Sequence, residues 1–384
     1  MDFELPDEVN YIIDTLESGE YEAYVVGGCV RDSLLGKLPK DWDICTPALP
    51  EQVIEIFKGH NIIKTGLQHG TVTIILNHKP FEVTTYRVDG VYSDSRHPDE
   101  VEFVGSLTDD LSRRDFTINA MAYSPKRGTA DFFGGAADLR LGVIKCVGDP
   151  DKRFAEDALR IMRALRFAAA LGFSIDGDTA KAMHKNAESL KKISPERISA
   201  EMSKLMAGDD IDRLLTEHKR VITEIIPELK LHTLKNVDSV PNDLSLRLTE
   251  LLYCVGPDTA KEILTRLKYD NNTINAVMQL ILYHEADITP DRRNVKNWLN
   301  KIGEENLSQL IRLRGLGDVR STLDEIIKQK QCFSLKDLAV NGKDLIDAGV
   351  REGTEVGAAL NRLLRMVIDE EIENDKEALL AEVV

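Results

Sequence analysis

The chain has 384 residues, 42% hydrophobic and 30% charged, which is enough apolar content for two or more packed cores and excludes a wholly disordered chain. Its five cysteines, Cys29, Cys45, Cys146, Cys254 and Cys332, are odd in number and lack any C-x-x-C spacing, which excludes a disulfide framework and points to a reducing compartment, the cytoplasm. No apolar run reaches the ~18 residues of a membrane span, the acidic start MDFELPDEVNYIIDTLESG does not read as a targeting peptide, and the net charge of −16 argues only globally against a polyanionic partner.

In chain order, YVV reads as a buried strand and CVRDSLLG as a helix closed by Gly36, so Gly27 and Gly28 form the turn between them. Two residues without Cβ atoms let a phosphate approach backbone N–H groups, and Arg31, one turn on, adds a charged donor. The G-x-G-x-x-G spacing of dinucleotide binders is absent, and a Gly-Gly turn alone is also a common structural device. The stretch DWDIC follows as a strand, in which Asp41 and Asp43 point to one face while Trp42 and Ile44 face the core. Two such carboxylates repel each other unless a cation lies between them, and Mg²⁺ with substrate phosphate oxygens suits that role. The plain alternative is a solvated strand end beside Pro39.

GTVTIIL, FEVTTYRV and VEFV read as further strands, and strand signals stop near residue 150. Beyond it come helical patterns such as RFAEDALRIMRALRFAAALG, SPERISAEMSKLMAG and DIDRLLTEHKRVITEIIPEL, an α+β head followed by an all-helical remainder. Residues 152–204 are dense in Lys and Arg, whereas the tail VIDEEIENDKEALLAEVV carries part of the acidic excess. In EDALRIMRALRF, helical spacing groups Ala158, Ile161, Met162, Leu165 and Ala169 on one apolar face. Arg160, Arg163 and Arg166 fan across the other face, with Asp157 flanking Arg160 and Glu156 four residues before it. A solvated amphipathic helix accounts for the pattern; so does a binding face. In SPERISAE, Ser194 suits a helix cap and Pro195 the first helical position.

A Gly-Gly turn followed by D-x-D on the next strand resembles the nucleotidyltransferase superfamily related to DNA polymerase β. The ordered stretches GGCVRDSLLGKLPKDWDICT, TGLQHGTVTIIL, FEVTTYRVDGVYSDSRHPDEVEFV, DLSRRDFTINAMAY, RFAEDALRIMRALRFAAALGF and SPERISAE resemble the class II tRNA nucleotidyltransferases, the CCA-adding enzymes, with bacterial poly(A) polymerases as close relatives. The resemblance runs over residues 20–205 and continues more weakly through IIPEL and the C-terminal LKDLAVNGKDLIDAGVREGTEVGAALNRLL. It implies an α+β fold: a polymerase-β-like head with a mixed sheet over residues 1–145, then an elongated all-α neck (146–206), body (207–275) and tail (276–384). The implied activity is template-independent addition of C, C and A from CTP and ATP to the tRNA 3′ end, with Mg²⁺ as cofactor.

Residue by residue, the resemblance assigns Gly28 and Arg31, with Gly27 in support, to the triphosphate, Asp41 and Asp43 to magnesium, and Arg114 to the nucleotide. Asp115 and Asn119 fall to the sugar and neighbouring phosphate, and Glu82 is either a third catalytic carboxylate or an ordinary strand residue. Asp157 and Arg160 take the base-reading role, with Arg163 and Arg166 as further contacts and Arg197 and Glu201 as braces. The chemistry fits that role. Cytosine and adenine both present an amine donor beside a ring-nitrogen acceptor, so one carboxylate and one guanidinium match both and mismatch uracil and guanine, at about 1–3 kcal/mol per unpaired contact.

The segment RVDGVYSDSRHPDEV, present here, is lacking in relatives that add only CC, and GLQHGTVTI resembles the CCA type rather than poly(A) polymerases. Addition of the terminal A alone, or poly(A) synthesis, is the alternative. Residues 89–98 are expected to be a mobile element that lets the pocket change from C to A. The stretch LHTLKNVDSVPNDLSLRLTELLYCVG resembles an HD phosphohydrolase region in outline, with Tyr253 and Cys254 in place of its His-Asp pair, so no such activity is expected and His232 is read as a packing residue. Oligomeric state, monomer or homodimer, stays open.

Overall fold

The computed structural model describes residues 4–89 and 101–383. The chain forms two compact units, Met1–Leu234 and Lys235–Val384.

The first unit starts with α1 (Asp7–Ser18), whose Val9, Ile12, Ile13 and Leu16 recur at helical spacing and are buried. Three buried residues, Tyr24, Val25 and Val26, form β1 (Tyr24–Val26), and the chain then turns at Gly27 into α2 (Gly28–Leu34). Next come β2 (Asp43–Thr46), α3 (Pro50–Ile56), β3 (Asn61–Ile63), β4 (Thr71–Leu76) and β5 (Lys79–Thr85). The short β6 (Arg87–Asp89) and β7 (Val101–Phe103) pair antiparallel. Thus the expected mobile element, residues 89–98, lies outside the described residues apart from the backbone of Asp89. Helix α4 (Leu107–Ser112), strands β8 (Ala122–Ser124) and β9 (Gly128–Ala130), α5 (Gly135–Leu141) and β10 (Val143–Ile144) complete the head.

Among the described residues one sheet has seven strands, in the order β3-β4-β5-β2-β1-β8-β9. Its neighbours pair antiparallel except β2 and β5, which run parallel with Asp43 opposite Glu82. Tyr24, Val26, Cys45, Tyr86, Leu107, Leu111 and Ala122 form a core beneath it. The D-x-D stretch departs from expectation at one end. Strand β2 begins at Asp43, so Asp41 precedes it, exposed, and Trp42 is half-buried instead of facing the core.

Asp149 caps α6 (Pro150–Glu156) by accepting from the Asp151 N–H, with Pro150 in the first turn. Helix α7 (Leu159–Leu171) follows, and β11 (Ser174–Ile175) pairs parallel with β10, so one short strand does occur beyond residue 150. Helices α8 (Gly177–Asn186), α9 (Pro195–Met206), α10 (Ile211–Glu217) and α11 (Lys219–Ile225) finish the unit, with α9 packed on α7. Ser194 holds the cap position of α9 through its carbonyl, which accepts from Arg197 and Ile198, while its hydroxyl makes no cap bond.

The expected continuous helix through EDALRIMRALRF is broken. Asp157 is extended (φ −138°, ψ 104°), which separates α6 from α7. The apolar face holds, with Ala158, Ile161, Met162, Leu165 and Ala169 all buried, but Arg160 is buried as well.

The second unit is helical. One core gathers Leu246, Leu280, Val295, Leu310 and Ile326, and a smaller one Leu345, Leu363, Leu364, Val367 and Leu379. Residue 275 lies within the helix Asn271–Leu282, and the change of unit falls inside 207–275. Tyr253 stacks on His284 at 4.1 Å between ring centres and donates to Glu285, while the His232 carbonyl, in the first unit, accepts from Lys219.

Candidate active site

The site starts at the turn after β1. Gly27 adopts φ 83°, ψ −127°, a region that L side chains rarely enter. A Cβ there would also lie 2.9 Å from Nη1 of Arg114, so the backbone favours glycine and any side chain would displace that guanidinium. At Gly28 a Cβ would meet only Nη2 of Arg31, at an ordinary 3.6 Å.

Beside the turn, Asp43 opens β2 across from Glu82 on β5. Burial raises the Asp43 carboxyl above the usual carboxylate range, against the pull of Arg114 and with the push of Asp41. Burial raises Glu82 too, followed by the charges of Asp43 and Asp41. The charge of Asp41 thus bears on Asp43 and on Glu82, and that of Asp43 on Glu82, an arrangement that a cation relieves. Among the described residues no hydrogen bond or ion pair engages the side-chain carboxylate of Asp41 or Asp43, although the charge of Arg114 acts on Asp43. Among the described residues no group of three or more His, Cys, Asp or Glu side chains is gathered closely enough to hold a metal ion by itself. Two carboxylates plus substrate oxygens form a donor set that suits Mg²⁺, which keeps few protein ligands.

Arg113 and Arg114 follow α4 and are anchored from below by Asp110, which is 1% exposed. Arg113 donates to its Oδ1 through Nη2 at 2.8 Å, and Arg114 to Oδ2 at 3.3 Å. Burial works against the Asp110 charge, but Arg114 and Arg113 hold its carboxyl below the usual range.

Arg31 Nη1 donates to Asn119 Oδ1 at 2.7 Å, Asn119 Nδ2 donates to Asp115 Oδ1 at 3.1 Å, and Arg163 Nε donates to Asp115 Oδ2 at 2.8 Å. This relay ties α2 to α7. Although burial opposes the charge of Asp115, Arg163 and Asn119 bring its carboxyl down to about 2.

At the α6–α7 break, Asp157 accepts from the Leu159 N–H at 3.0 Å through Oδ1 and from Arg197 Nη2 at 2.9 Å through Oδ2. Arg160 donates to Glu156 at 2.7 Å, to the Arg153 carbonyl at 3.2 Å and to the Arg113 carbonyl at 2.9 Å. Glu156 also accepts from Arg153. Arg166 forms an ion pair with the buried Glu201 at 2.9 Å, yet burial pushes its pKa below the usual arginine range despite that partner. The Asp157 carboxylate is thus held by a helix forty residues on and by the first turn of α7, while its backbone N–H still donates to the Arg153 carbonyl of α6 at 3.4 Å.

These elements enclose a cleft of about 510 Å³. Gly27, Gly28, Arg31, Asp43, Arg114, Asp115 and Asn119 line it from the head side, and Asp157, Arg160, Arg163, Arg166 and Arg197 from the helical side. Of the residues singled out in the sequence, Asp41, Glu82, Glu156 and Glu201 do not line it; the first two stand beside Asp43, the others behind Arg160 and Arg166. Arg113, Leu159 and Phe167 also line the cleft and were not anticipated. Asp110 had a signal in its spacing of three and four residues from two arginines, whereas Phe167 reads as an ordinary core aromatic.

Residues 23–145 match the family model described as the poly A polymerase head domain, 172–231 the one described as "Probable RNA and SrmB- binding site of polymerase A", and 242–383 that of tRNA nucleotidyltransferase domain 2. The chain is 37% identical over 395 residues to a CCA-adding enzyme of Pediococcus pentosaceus, covering 97% of this chain and 96% of that protein. It is 36% identical to one of Ligilactobacillus salivarius, covering 98% and 96%. Among solved structures, the Bacillus stearothermophilus CCA-adding enzyme in complex with CTP superposes with a TM-score of 0.83 at 33% identity, covering 99% of this chain and 97% of that one. The Thermotoga maritima CCA-adding enzyme complexed with tRNA shares the fold, with a TM-score of 0.71 at 24% identity.

Proposed function

The chain belongs to the CCA-adding enzymes, and from that premise we propose how its cleft carries out template-independent transfer of C, C and A from CTP and ATP to the 3′ end of tRNA. The supporting observation is the cleft itself: a Gly-Gly turn with Arg31 and Arg114 on one wall and an Asp157–Arg160 pair on the other, within about 510 Å³, the scale of one bound nucleotide.

Arg31 and Arg114 bind the triphosphate, and the bare Gly27–Gly28 backbone lets it come close, so that its α-phosphorus is held in line with the tRNA hydroxyl. Asp157 accepts from the exocyclic amine of C or A, and Arg160 donates to the adjacent ring nitrogen. Arg197 fixes the carboxylate, and Glu156 with two carbonyls fixes the guanidinium, so both readers are set before the nucleotide arrives. Arg163 and Arg166 add positive charge beside the nucleotide. A divalent cation, which we take to be Mg²⁺, would be held by Asp41 and Asp43 with Glu82 alongside; when bound it activates the tRNA hydroxyl and offsets charge on departing pyrophosphate.

The tRNA is bound by charge and shape, since every tRNA must be accepted. A groove of about 610 Å³ in the same unit supports this, being lined by Lys191, Lys219, Arg220 and Lys230 against a single acid, Glu224. Among the described residues no helix is long and apolar enough to cross a membrane. All five cysteines are free thiols, which suits the cytoplasm as the site of action.

The test is purified protein with tRNA lacking its 3′ end and each of four labelled triphosphates, with and without Mg²⁺. Ordered uptake of C, C and then A, dependent on the cation, supports the reading. Long A tails would instead identify a poly(A) polymerase, and equal use of UTP and GTP would overturn the assignment of Asp157 and Arg160.

A further inference from the structure

Phe167 lies in α7, 9% exposed, with its ring edge-on to Phe116 at 5.8 Å and at 80°. Three guanidinium groups converge on this one ring: Arg166 at 3.9 Å, Arg31 at 5.2 Å and Arg163 at 5.3 Å from its centre. Arg31 comes from α2, the other two from α7 itself. All three line the nucleotide cleft, and so does the ring.

Three like charges within reach of a single side chain repel one another. Their acidic and amide partners are spread thinly: Arg163 has Asp115, Arg166 has Glu201, and Arg31 has Asp32 and Asn119. Arg166 is the least compensated, because burial drives its pKa down while the charges of Arg163 and Arg31 add to the effect. An aliphatic side chain of equal volume would leave the same cavity filled but offer no negative face to a cation. The aromatic quadrupole does, and it acts on all three at once.

We propose that Phe167 is a positioning residue for nucleotide binding: its ring holds Arg31, Arg163 and Arg166 in one cluster so that the triphosphate-binding wall and the base-reading wall keep a fixed separation before CTP or ATP enters. This rests on the reading of the cleft as the nucleotide site. The ring touches neither reacting atom, so its influence falls on nucleotide affinity and selectivity rather than on the rate of bond formation.

The test replaces Phe167 with mono-, di- and trifluorophenylalanine, which keep shape and burial while progressively draining the negative face, and separately makes Phe167→Leu and Phe167→Trp. The nucleotide KM for CTP and ATP is measured with the tRNA KM, kcat and Tm. The expected result is a stepwise rise in nucleotide KM with each fluorine, reaching roughly five- to twentyfold, with the tRNA KM and Tm unchanged. Phe167→Leu is expected to show the full rise in KM at a kcat within about twofold of the parent, a limit set by binding lost alike from ground and transition states, and Phe167→Trp to retain the parental KM. A flat KM across the fluorinated series, in a parent protein that adds C and A normally, would reduce Phe167 to core packing and overturn the inference. If the parent protein itself fails to take up C and A, the reading of the cleft fails instead.

Discussion

Asp115 and Arg163, forty-eight residues apart, form a buried pair in which Nε of the arginine donates to Oδ2 of the aspartate at 2.8 Å, and through it the strand-rich head is joined to the first long helix behind it. Because Arg163 and Asn119 bring the carboxyl down to about 2 against the cost of burial, its contribution is present above the unfolded value near ~4 and is lost as pH falls through about 2. Asp115→Asn is therefore expected to lower stability by about 3 kcal/mol at neutral pH. The deficit relative to the parent should shrink between pH 4 and 2, as followed by denaturant unfolding.

At the turn, the two glycines are not equivalent. Gly27→Ala forces a positive φ on a residue with a Cβ and pushes against Arg114, so a loss of about 1–3 kcal/mol in stability is expected together with a raised nucleotide KM. Gly28→Ala has room in the protein. It should raise the nucleotide KM with no loss of Tm, because the added methyl meets only Nη2 of Arg31 at an ordinary 3.6 Å and would stand where the phosphate is proposed to approach.

The carboxylates beside the turn pull stability and activity in opposite directions. Burial, with the Asp41 charge on both and the Asp43 charge on Glu82, raises the Asp43 and Glu82 carboxyls, so their ionised forms destabilise the protein at neutral pH until a cation neutralises them. Asp43→Asn is expected to hold or raise Tm in EDTA. Nucleotide addition should fall on the order of a thousandfold, and the Tm gain that Mg²⁺ gives the parent protein should disappear.

Arg197 bonds Asp157, the proposed base reader, without being assigned that role itself. Arg197→Ala leaves the Asp157 carboxylate held only by the Leu159 N–H. Use of UTP and GTP relative to CTP and ATP should rise about tenfold, in line with one loosened polar contact. Initial rates with each triphosphate measure it.

His184 and His218 stand 3.0 Å apart, Nε2 to Nδ1, where α8 meets the end of α10. Burial and then His184 lower the His218 pKa to about 4, with Arg213 adding to the shift and Glu217 opposing it. Burial and then Arg220 lower His184. A histidine with a depressed pKa favours the folded state when neutral, so stability is complete above the unfolded value near ~6.5 and declines as pH falls through about 4, by up to roughly 3 kcal/mol. His218→Gln should flatten that part of the pH–stability curve.

Strands β1, β2, β4, β5 and β7 and the buried stripe of α7 were legible because alternation and 3.6-residue spacing follow from which face is covered, whereas β3, β8, β9 and β10, of two or three residues each, are too short to carry such a pattern. The Gly-Gly turn, the D-x-D pair and the arginines of EDALRIMRALRF could be picked out by residue type alone, and most of them meet at one cleft. The break at Asp157 was not legible. Good helix formers flank it on both sides, and beside the local cap that the Asp157 carboxylate gives the Leu159 N–H stands Arg197, forty residues on, which no local pattern predicts. The burial of Arg160 was not legible for a related reason: spacing sets it opposite the apolar stripe, but does not show that Glu156 and two carbonyls wait there to satisfy it. Phe167 gave no sign, because the three cations on its ring come from two different helices.

The parallel pairing of β2 with β5 has an outcome for how this protein comes into being. A hairpin cannot make such a pair, so Asp43 and Glu82 come abreast only after the intervening helix and two strands have taken their places. Two carboxylates thirty-nine residues apart in the chain are therefore set face to face by the sheet as a whole and by no local turn.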